Sequence, residues 1–353
     1  MKFRRIIGLA VSGILALGMC ACSGVGSTST SGSASSASSS GTAEEKSSSN
    51  KSLKEIDVVL DWYPNAVHTF LYEAIDNGYF EDEGLKVNII SPAESVDAIT
   101  FVASGKAQIG LTYPVEIIQA VSNDMPVRAL AAVAQTPLDC FCSLKENTDI
   151  TADMSSLKGK RLGYSGTAAS EATVKTITKN AGLNDGDYEL INVGFDLVTS
   201  LTTKSVDVVF GTFVNDEVVT MENAGYDLNV FYKQDYGVPE IYGLVMAVNN
   251  DSYNNDPDVY QAFLRACDKG FQDMIADEDQ ALDVIMTDMN SDDNPLDENQ
   301  QRESYEILIK RMQTDDAKFL SMTEDNWQSV IDWMNETGLI ESQLSAKDVM
   351  INE

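Results

Sequence analysis

The chain is 353 residues long, with 24 Lys and Arg against 55 Asp and Glu, a formal net charge of −31, and 43 % hydrophobic residues. That apolar share builds a core but not a polytopic membrane protein, and the length suits roughly two globular domains. So acidic a chain is repelled by nucleic-acid phosphates and anionic headgroups, which argues against nucleic acid or an anionic bilayer as partners of its surface. With one His and five Cys, a zinc site built from several such ligands is excluded as well.

Lys2, Arg4 and Arg5 precede an apolar run from Ile6 to Met19, which ends at Cys20-Ala21-Cys22. A basic start, an apolar stretch too short to span a bilayer comfortably and small residues at its end predict a signal peptide over residues 1–21. The Cys at the cleavage site resembles a bacterial lipoprotein signal, in which that Cys is acylated and becomes the new N-terminus. Cys22 follows the small Ala21 and is the expected anchor, whereas Cys20 follows Met19 and fits less well; an ordinary secreted protein is the alternative. Residues 22–52 are nearly all Ser, Gly, Thr and Ala. Such a segment buries nothing and reads as a flexible tether. Loss of Lys2, Arg4 and Arg5 takes the exported form to −34.

From there the pattern alternates. Ile56–Leu60 reads as a buried strand, Val67 to Asn77 as a helix, Leu85–Ile90 as a strand and Ala93 to Ala103 as a helix. A strand over Ala107–Thr112, a helix from Pro114 to Val121 and a strand over Val127–Ala134 follow. A second set begins at Arg161–Tyr164. It continues with helix Ala168 to Ala181, strand Tyr188–Val193, helix Leu197 to Thr203, strand Val206–Phe210, helix Thr212 to Ala224 and strand Leu228–Tyr232. After one more apolar run, Gly243–Val248, the pattern is helical over Val259 to Ala276, Gln280 to Met289, Gln300 to Met312 and Glu324 to Thr337.

Repeated strand–helix–strand units predict an α/β fold with parallel, doubly wound sheets in two lobes. The expected division is 53–138 for the first part of lobe 1, 139–244 for lobe 2, and 245–353 for the return to lobe 1 with a helical C-terminal tail. Thr136–Leu144 and Tyr236–Val245 contain Pro, lack a helical period and are the expected hinge segments. Cys140, Cys142 and Cys267 form no disulfide framework. Residues i and i+2 of a strand lie about 7 Å apart, and Cys-Phe-Cys lacks metal or redox spacing. Buried, reduced thiols are expected.

Open α/β sheets bind ligands beyond the carboxyl ends of their strands. That rule selects Asp61-Trp62, Thr112-Tyr113, Ser165-Gly166-Thr167 and Gly211–Asn215. Asp61-Trp62-Tyr63-Pro64-Asn65 offers an aromatic face beside an acceptor, although a core Trp with a turn Asp fits the same residues. Ser165-Gly166-Thr167 either turns N–H groups and hydroxyls toward a ligand or simply caps a helix. His68, standing alone, reads first as a structural residue.

The run Asp61 to Thr69, then Gly78-Tyr79-Phe80 and Glu83-Gly84-Leu85, resembles one family closely. These are the substrate-binding proteins of ABC transporters that handle thiamine pyrimidine precursors, related to the fungal enzymes that make the pyrimidine phosphate. Ser104 to Gly110 and Leu157 to Tyr164 extend the resemblance, but recur in alkanesulfonate, nitrate and taurine binding proteins.

The resemblance implies a type II periplasmic-binding fold, in which two lobes close on a ligand by hinge motion. It implies that Trp62 and Tyr113 stack on a heteroaromatic ring and that Asp61 and Glu116 accept its N–H bonds. Asn65 and His68 then shape the first-lobe wall, with Thr112 beside them. Ser165, Gly166 and Thr167 donate from the second lobe, joined by Asn215 and Glu217. Phe70 departs from the Gly frequent in transport relatives. The enzyme branch carries a Lys and a His in the segment matching Thr112 and Glu116, a phosphate-gripping run where Gly166 to Ser170 stand here, and a Cys-rich cluster absent here. Without that Lys no Schiff base forms at the position.

The expected function is therefore a lipid-anchored, extracytoplasmic solute-binding protein of a bacterial ABC importer, carrying a hydroxymethylpyrimidine or formylaminopyrimidine type of precursor. Its expected partners are that ligand and a permease. No cofactor, metal or catalytic residue is expected, and the protein should be a monomer. A same-fold binder of a flavin precursor, another heterocycle or a sulfonate is the alternative, with a synthase-like enzyme or a sensor behind it. Metabolic labelling with a fatty acid should tag the protein, and Cys22→Ala should abolish the label; a label lost instead in Cys20→Ala would move the anchor.

Overall fold

A computed structural model describes residues 53–93, 97–194 and 196–351. The expected signal peptide, the tether, Cys20 and Cys22 lie outside the described residues. Among the described residues ten strands form two five-stranded sheets. The first contains β1 (Lys54–Val59), β2 (Leu85–Ile90), β3 (Ile109–Thr112), β4 (Val127–Ala134) and β10 (Leu244–Asn249), in the order β2-β1-β3-β10-β4. The second contains β5 (Asp139–Leu144), β6 (Arg161–Tyr164), β7 (Glu189–Asn192), β8 (Val208–Phe213) and β9 (Leu228–Phe231), in the order β7-β6-β8-β5-β9.

The helices of the first half are α1 (Thr69–Asp76), α2 (Tyr79–Asp82), α3 (Asp97–Ala103), α4 (Pro114–Ser122), α5 (Ala168–Asn180), α6 (Leu197–Thr202) and α7 (Glu217–Asn223). After β10 come α8 (Asn250–Asn255), α9 (Pro257–Ala276), α10 (Glu278–Val284), α11 (Glu298–Met312), α12 (Glu324–Glu336) and α13 (Ala346–Val349). A π-helical turn, Ile285–Met289, prolongs α10.

The sheets are mixed, not wholly parallel. In each, one strand runs against the rest: β10 is antiparallel to β3 and β4, and β5 to β8 and β9. Parallel neighbours joined in sequence need a crossover, usually a helix. β5 and β10 instead enter from the other sheet, β5 through the short link 135–138, so that constraint does not act on them. A second departure concerns β8. Asp139 and Cys140 of β5 pair with Phe213 and Thr212, so the strand runs on to Phe213 and the helix expected from Thr212 begins only at Glu217.

Both reversed strands are central and buried on two faces. Leu244, Met246 and Val248 of β10 join the apolar cluster beneath α1, α9 and α10, while Val245 and Ala247 join that of α4 and α12. The period of two thus divides one continuous apolar run between two cores. In β5, Phe141 stacks on Phe210 with ring centroids 4.6 Å apart, while Cys140 and Cys142 face the other way. Both thiols sit against the Thr212 hydroxyl, at 3.3 and 3.7 Å. Burial pushes them up, Cys142 to about 12, so they are packing thiols and not thiolates. Among the described residues Cys140, Cys142 and Cys267 are all free and buried.

Helix α1 is pressed against α9 with no room to spare. A Cβ added at Gly270 would lie 2.2 Å from the Phe70 carbonyl oxygen and 2.9 Å from the Ala74 Cβ. Phe70 itself is fully buried, edge-on to Phe319 at 5.2 Å. The contact is backbone on backbone and cannot yield by a rotamer change. Gly270→Ala should therefore destabilise the fold by about 1–3 kcal/mol, read as a lower urea midpoint at unchanged slope.

Candidate functional site

Four parallel strands deliver their carboxyl ends to one region. From the first sheet, β1 leads through Leu60 to Asp61, and β3 leads to Thr112 and Tyr113. From the second, β6 leads to Ser165-Gly166-Thr167, and β8 leads through Val214 to Asn215, Asp216 and Glu217. The two groups meet where the Tyr113 ring lies nearly parallel to Phe213, 6.1 Å between centroids.

Asp61 organises the first group. Its Oδ2 accepts from the Tyr113 hydroxyl at 2.8 Å, and its Oδ1 lies 2.9 Å from His68 Nε2. The Asn65 N–H donates to His68 Nδ1 at 3.2 Å, which leaves Nε2 to carry the proton that Asp61 receives. Asn65 Oδ1 in turn accepts from Val67 N, closing a capping box over the short 3₁₀ turn Ala66–His68. His68 is fully buried, so it holds this corner and meets no solvent. Burial alone would raise the Asp61 carboxyl. The hydrogen bonds that Asp61 accepts from His68 and Tyr113 outweigh burial and hold it below its ordinary range.

Two more carboxyls face the same tyrosine. Glu116 accepts from the Thr112 hydroxyl, yet burial pushes it up, with the Asp61 charge adding to the effect. Glu217 accepts from Phe213 N at 2.7 Å and is pushed up to about 7 by burial and then by the Asp216 charge. The Tyr113 hydroxyl is raised well above its usual value, by burial first and then by Asp61, Glu116 and Glu217. Three carboxyls thus act on one tyrosine, Asp61 through a direct hydrogen bond. The nearby cations are engaged elsewhere: Lys233 pairs with Asp139 at 2.6 Å, and Arg311 donates to the Pro137 carbonyl at 2.6 Å.

The remaining expected residues are more open. Trp62 is 48 % exposed and stands edge-on to Tyr63. Thr167 caps α5 through Ser170 N at 3.1 Å, and the Ser165 hydroxyl donates to Ser170 Oγ at 3.0 Å. Gly166 has φ +82°, and a Cβ there would fall 2.5 Å from Asn192 Oδ1, so the turn requires glycine.

Helix α11 was expected as a helix but not as part of this region. Gln301 Oε1 accepts from Ala66 N at 3.0 Å, while the Gln300 amide donates to Asp216 at 3.0 Å and to Thr220 at 2.9 Å. Asn215 donates to the Ser304 hydroxyl at 3.3 Å. One helix therefore bonds to residues following both β1 and β8. A signal exists in the sequence: Gln301 and Ser304 share a helical face with Tyr305, Leu308 and Met312, all buried.

Among the described residues no group of three or more His, Cys, Asp or Glu could hold a metal ion, and no helix is long and apolar enough to cross a membrane. A surface groove between Gln119 to Asn123 and Gly338 to Ser342 lies away from the strand ends and gathers none of the residues above.

Residues 65–281 match the family model described as NMT1/THI5 like. The chain is 38 % identical to the formylaminopyrimidine-binding protein of Halalkalibacterium halodurans, over 86 % of this chain and 91 % of that one. It is 32 % identical to a 4-amino-5-hydroxymethyl-2-methylpyrimidine phosphate synthase of Candida albicans, over only 45 % of this chain and 47 % of that one. The crystal structure of the periplasmic aliphatic sulphonate binding protein SsuA from Escherichia coli superposes with a TM-score of 0.65 at 11 % identity, covering 84 % of this chain and 97 % of that one. The periplasmic-binding fold is thereby shown; at that identity nothing about the ligand is.

Glu217 carries a pH dependence. Its carboxyl is raised from the ordinary 4.5 to about 7, so folding favours the protonated form. The stabilisation is complete below about 4.5 and is lost as the pH rises through 7. Glu217→Gln cannot ionise, so it should exceed the parent in stability by on the order of 1–2 kcal/mol at pH 8 and match it near pH 4.5. Urea denaturation at the two pH values measures the difference.

Proposed function

Because this chain belongs to the NMT1/THI5-like family, we propose that it is the extracytoplasmic substrate-binding component of an ABC importer, and that it captures a pyrimidine precursor of thiamine of the formylaminopyrimidine type. The observation that carries the reading is the 38 % identity to a formylaminopyrimidine-binding protein, spread over nine-tenths of that relative.

The chemistry of the strand ends supports the same class of ligand. Asp61 accepts from the Tyr113 hydroxyl, Glu116 and Glu217 act on the same tyrosine electrostatically, Lys233 is paired with Asp139, and Arg311 donates to the Pro137 carbonyl. Such a site favours a neutral or cationic ring bearing N–H groups and disfavours a sulfonate, which needs donors and positive charge. In this reading Trp62 and Tyr113 supply the aromatic faces, and Asp61, Asn65 and Glu116 form one wall, with the buried His68 and Thr112 holding Asp61 and Glu116 from behind. Ser165, Gly166, Thr167, Asn215 and Glu217 form the other.

A synthase activity is disfavoured. The Candida albicans relative matches less than half of this chain, and Thr112 and Glu116 offer no amine for a Schiff base. The protein acts by binding and delivery to a permease, held at the outer face of the membrane through lipid on Cys22 and working as a monomer.

Calorimetric titration of the region from residue 53 onward tests the reading. Formylaminopyrimidine should bind, and at 100 times its dissociation constant should stabilise the fold by about 2.7 kcal/mol. An alkanesulfonate should give no heat. Trp62→Ala should weaken pyrimidine binding by about 1–3 kcal/mol and remove ligand-induced tryptophan quenching. Sulfonate binding in place of pyrimidine would overturn the ligand, and parental affinity in Trp62→Ala would overturn its place in the site.

A further inference from the structure

Asn215 is 8 % exposed, and its side-chain amide is only half used. Nδ2 donates to Ser304 Oγ at 3.3 Å, whereas Oδ1 is buried and has no hydrogen-bond partner among the described residues. A buried amide oxygen left without a donor costs roughly 1–3 kcal/mol, so such groups persist where something else supplies the donor. Its surroundings narrow the candidates. Asn215 follows β8 directly, two residues after the Phe213 ring that lies against Tyr113, and it precedes Asp216 and Glu217. The unpartnered group itself is an acceptor, and an acceptor calls for a neighbour bearing N–H groups over one bearing only a carbonyl.

The side chain is also held from outside its own sheet. Ser304 belongs to α11, which is fixed to the other side by Gln301 on Ala66 N and by the Tyr305 hydroxyl on the Met274 carbonyl at 2.7 Å. The neighbouring Gln300 clamps Asp216 and Thr220, so the stretch around Asn215 is held at two points by one helix. We propose that Ser304 is a positioning residue: it fixes the Asn215 amide so that Oδ1 accepts an N–H from the ligand, making α11 a determinant of selectivity for amino-bearing rings. The inference rests on the pyrimidine reading above and assigns part of the selectivity to a helix outside both sheets.

The test compares two probes by calorimetry, formylaminopyrimidine and the same pyrimidine with hydrogen in place of the ring amino group. Ser304→Ala should lose about tenfold in affinity for the first and less than about twofold for the second; its melting temperature should fall, because the buried Asn215 Nδ2 loses its acceptor, but that fall cannot by itself distinguish the two probes. Ser304→Thr, which keeps the hydroxyl, should restore the discrimination. Asn215→Asp should keep it as well, because a carboxylate accepts from Ser304 and from the ligand alike. Equal losses for the two probes, or no loss for either, would overturn the role of Ser304 while leaving the pyrimidine reading intact. A gain in affinity for a ring with a carbonyl in place of the amino group would overturn the acceptor assignment. Failure of the parent protein to bind either pyrimidine would overturn the reading itself and this inference with it.

Discussion

The carboxylate of Asp61 is the tie on which the first half of the site depends. It joins the end of β1 to the end of β3 through Tyr113 and to the 3₁₀ turn through His68, each at normal hydrogen-bond length. Remove it, and two buried donors lose their acceptor at once, at about 1–3 kcal/mol each. The Asn65 capping box then holds His68 in the one tautomer that Asp61 can use. A charge that would be expensive alone becomes a fixed point, because every neighbour that could satisfy it is supplied locally.

That fixed point sits where the topology gathers strand ends. β5 and β10 each cross from the other sheet and run against their neighbours, which brings the two sheets together at their crossings. The Tyr113–Phe213 contact is the direct consequence. Helix α11 adds a third element, bonded to Ala66 beyond β1 and to Asn215 and Asp216 beyond β8. Motion of one sheet relative to the other must break or carry those bonds, so α11 belongs to the energetics of any closure.

Much of this was legible in the sequence. Alternation of strands and helices follows from period and turn chemistry, and the family pattern around Asp61 and His68 names the fold, although most of the stretch Thr136–Leu144, expected as a hinge, is strand β5. Two features were not legible, each for a physical reason. The extension of β8 through Gly211 to Phe213 depends on pairing with β5, a partner some 70 residues away, and local propensity there favours a helix start. The role of α11 was hidden because Gln300, Gln301 and Ser304 are polar, and polar residues on a helix are read as a solvated face. Their spacing puts Gln301 and Ser304 on the face of Tyr305 and Leu308, but only the structure shows that the two polar residues are buried there.

The overall charge and the site make separate statements. A net −31 concerns solubility and repulsion from anionic surfaces, and it would be compatible with a ligand of either sign. In the proposed reading what discriminates is local: Asp61 bonded to Tyr113, with Glu116 and Glu217 acting on the same tyrosine and Lys233 and Arg311 engaged by Asp139 and Pro137. The sulfonate-binding protein of Escherichia coli shares the fold at 11 % identity, so the scaffold itself selects neither sulfonate nor pyrimidine. On the reading proposed above, selectivity resides in the few side chains at the strand ends and on α11. The unmet acceptor among them is the orphan oxygen on Asn215, while Glu116 and Glu217 already accept from Thr112 and from Phe213 N. A ring that brings an N–H donor satisfies that oxygen, whereas an anion would add one more acceptor beside Asp61.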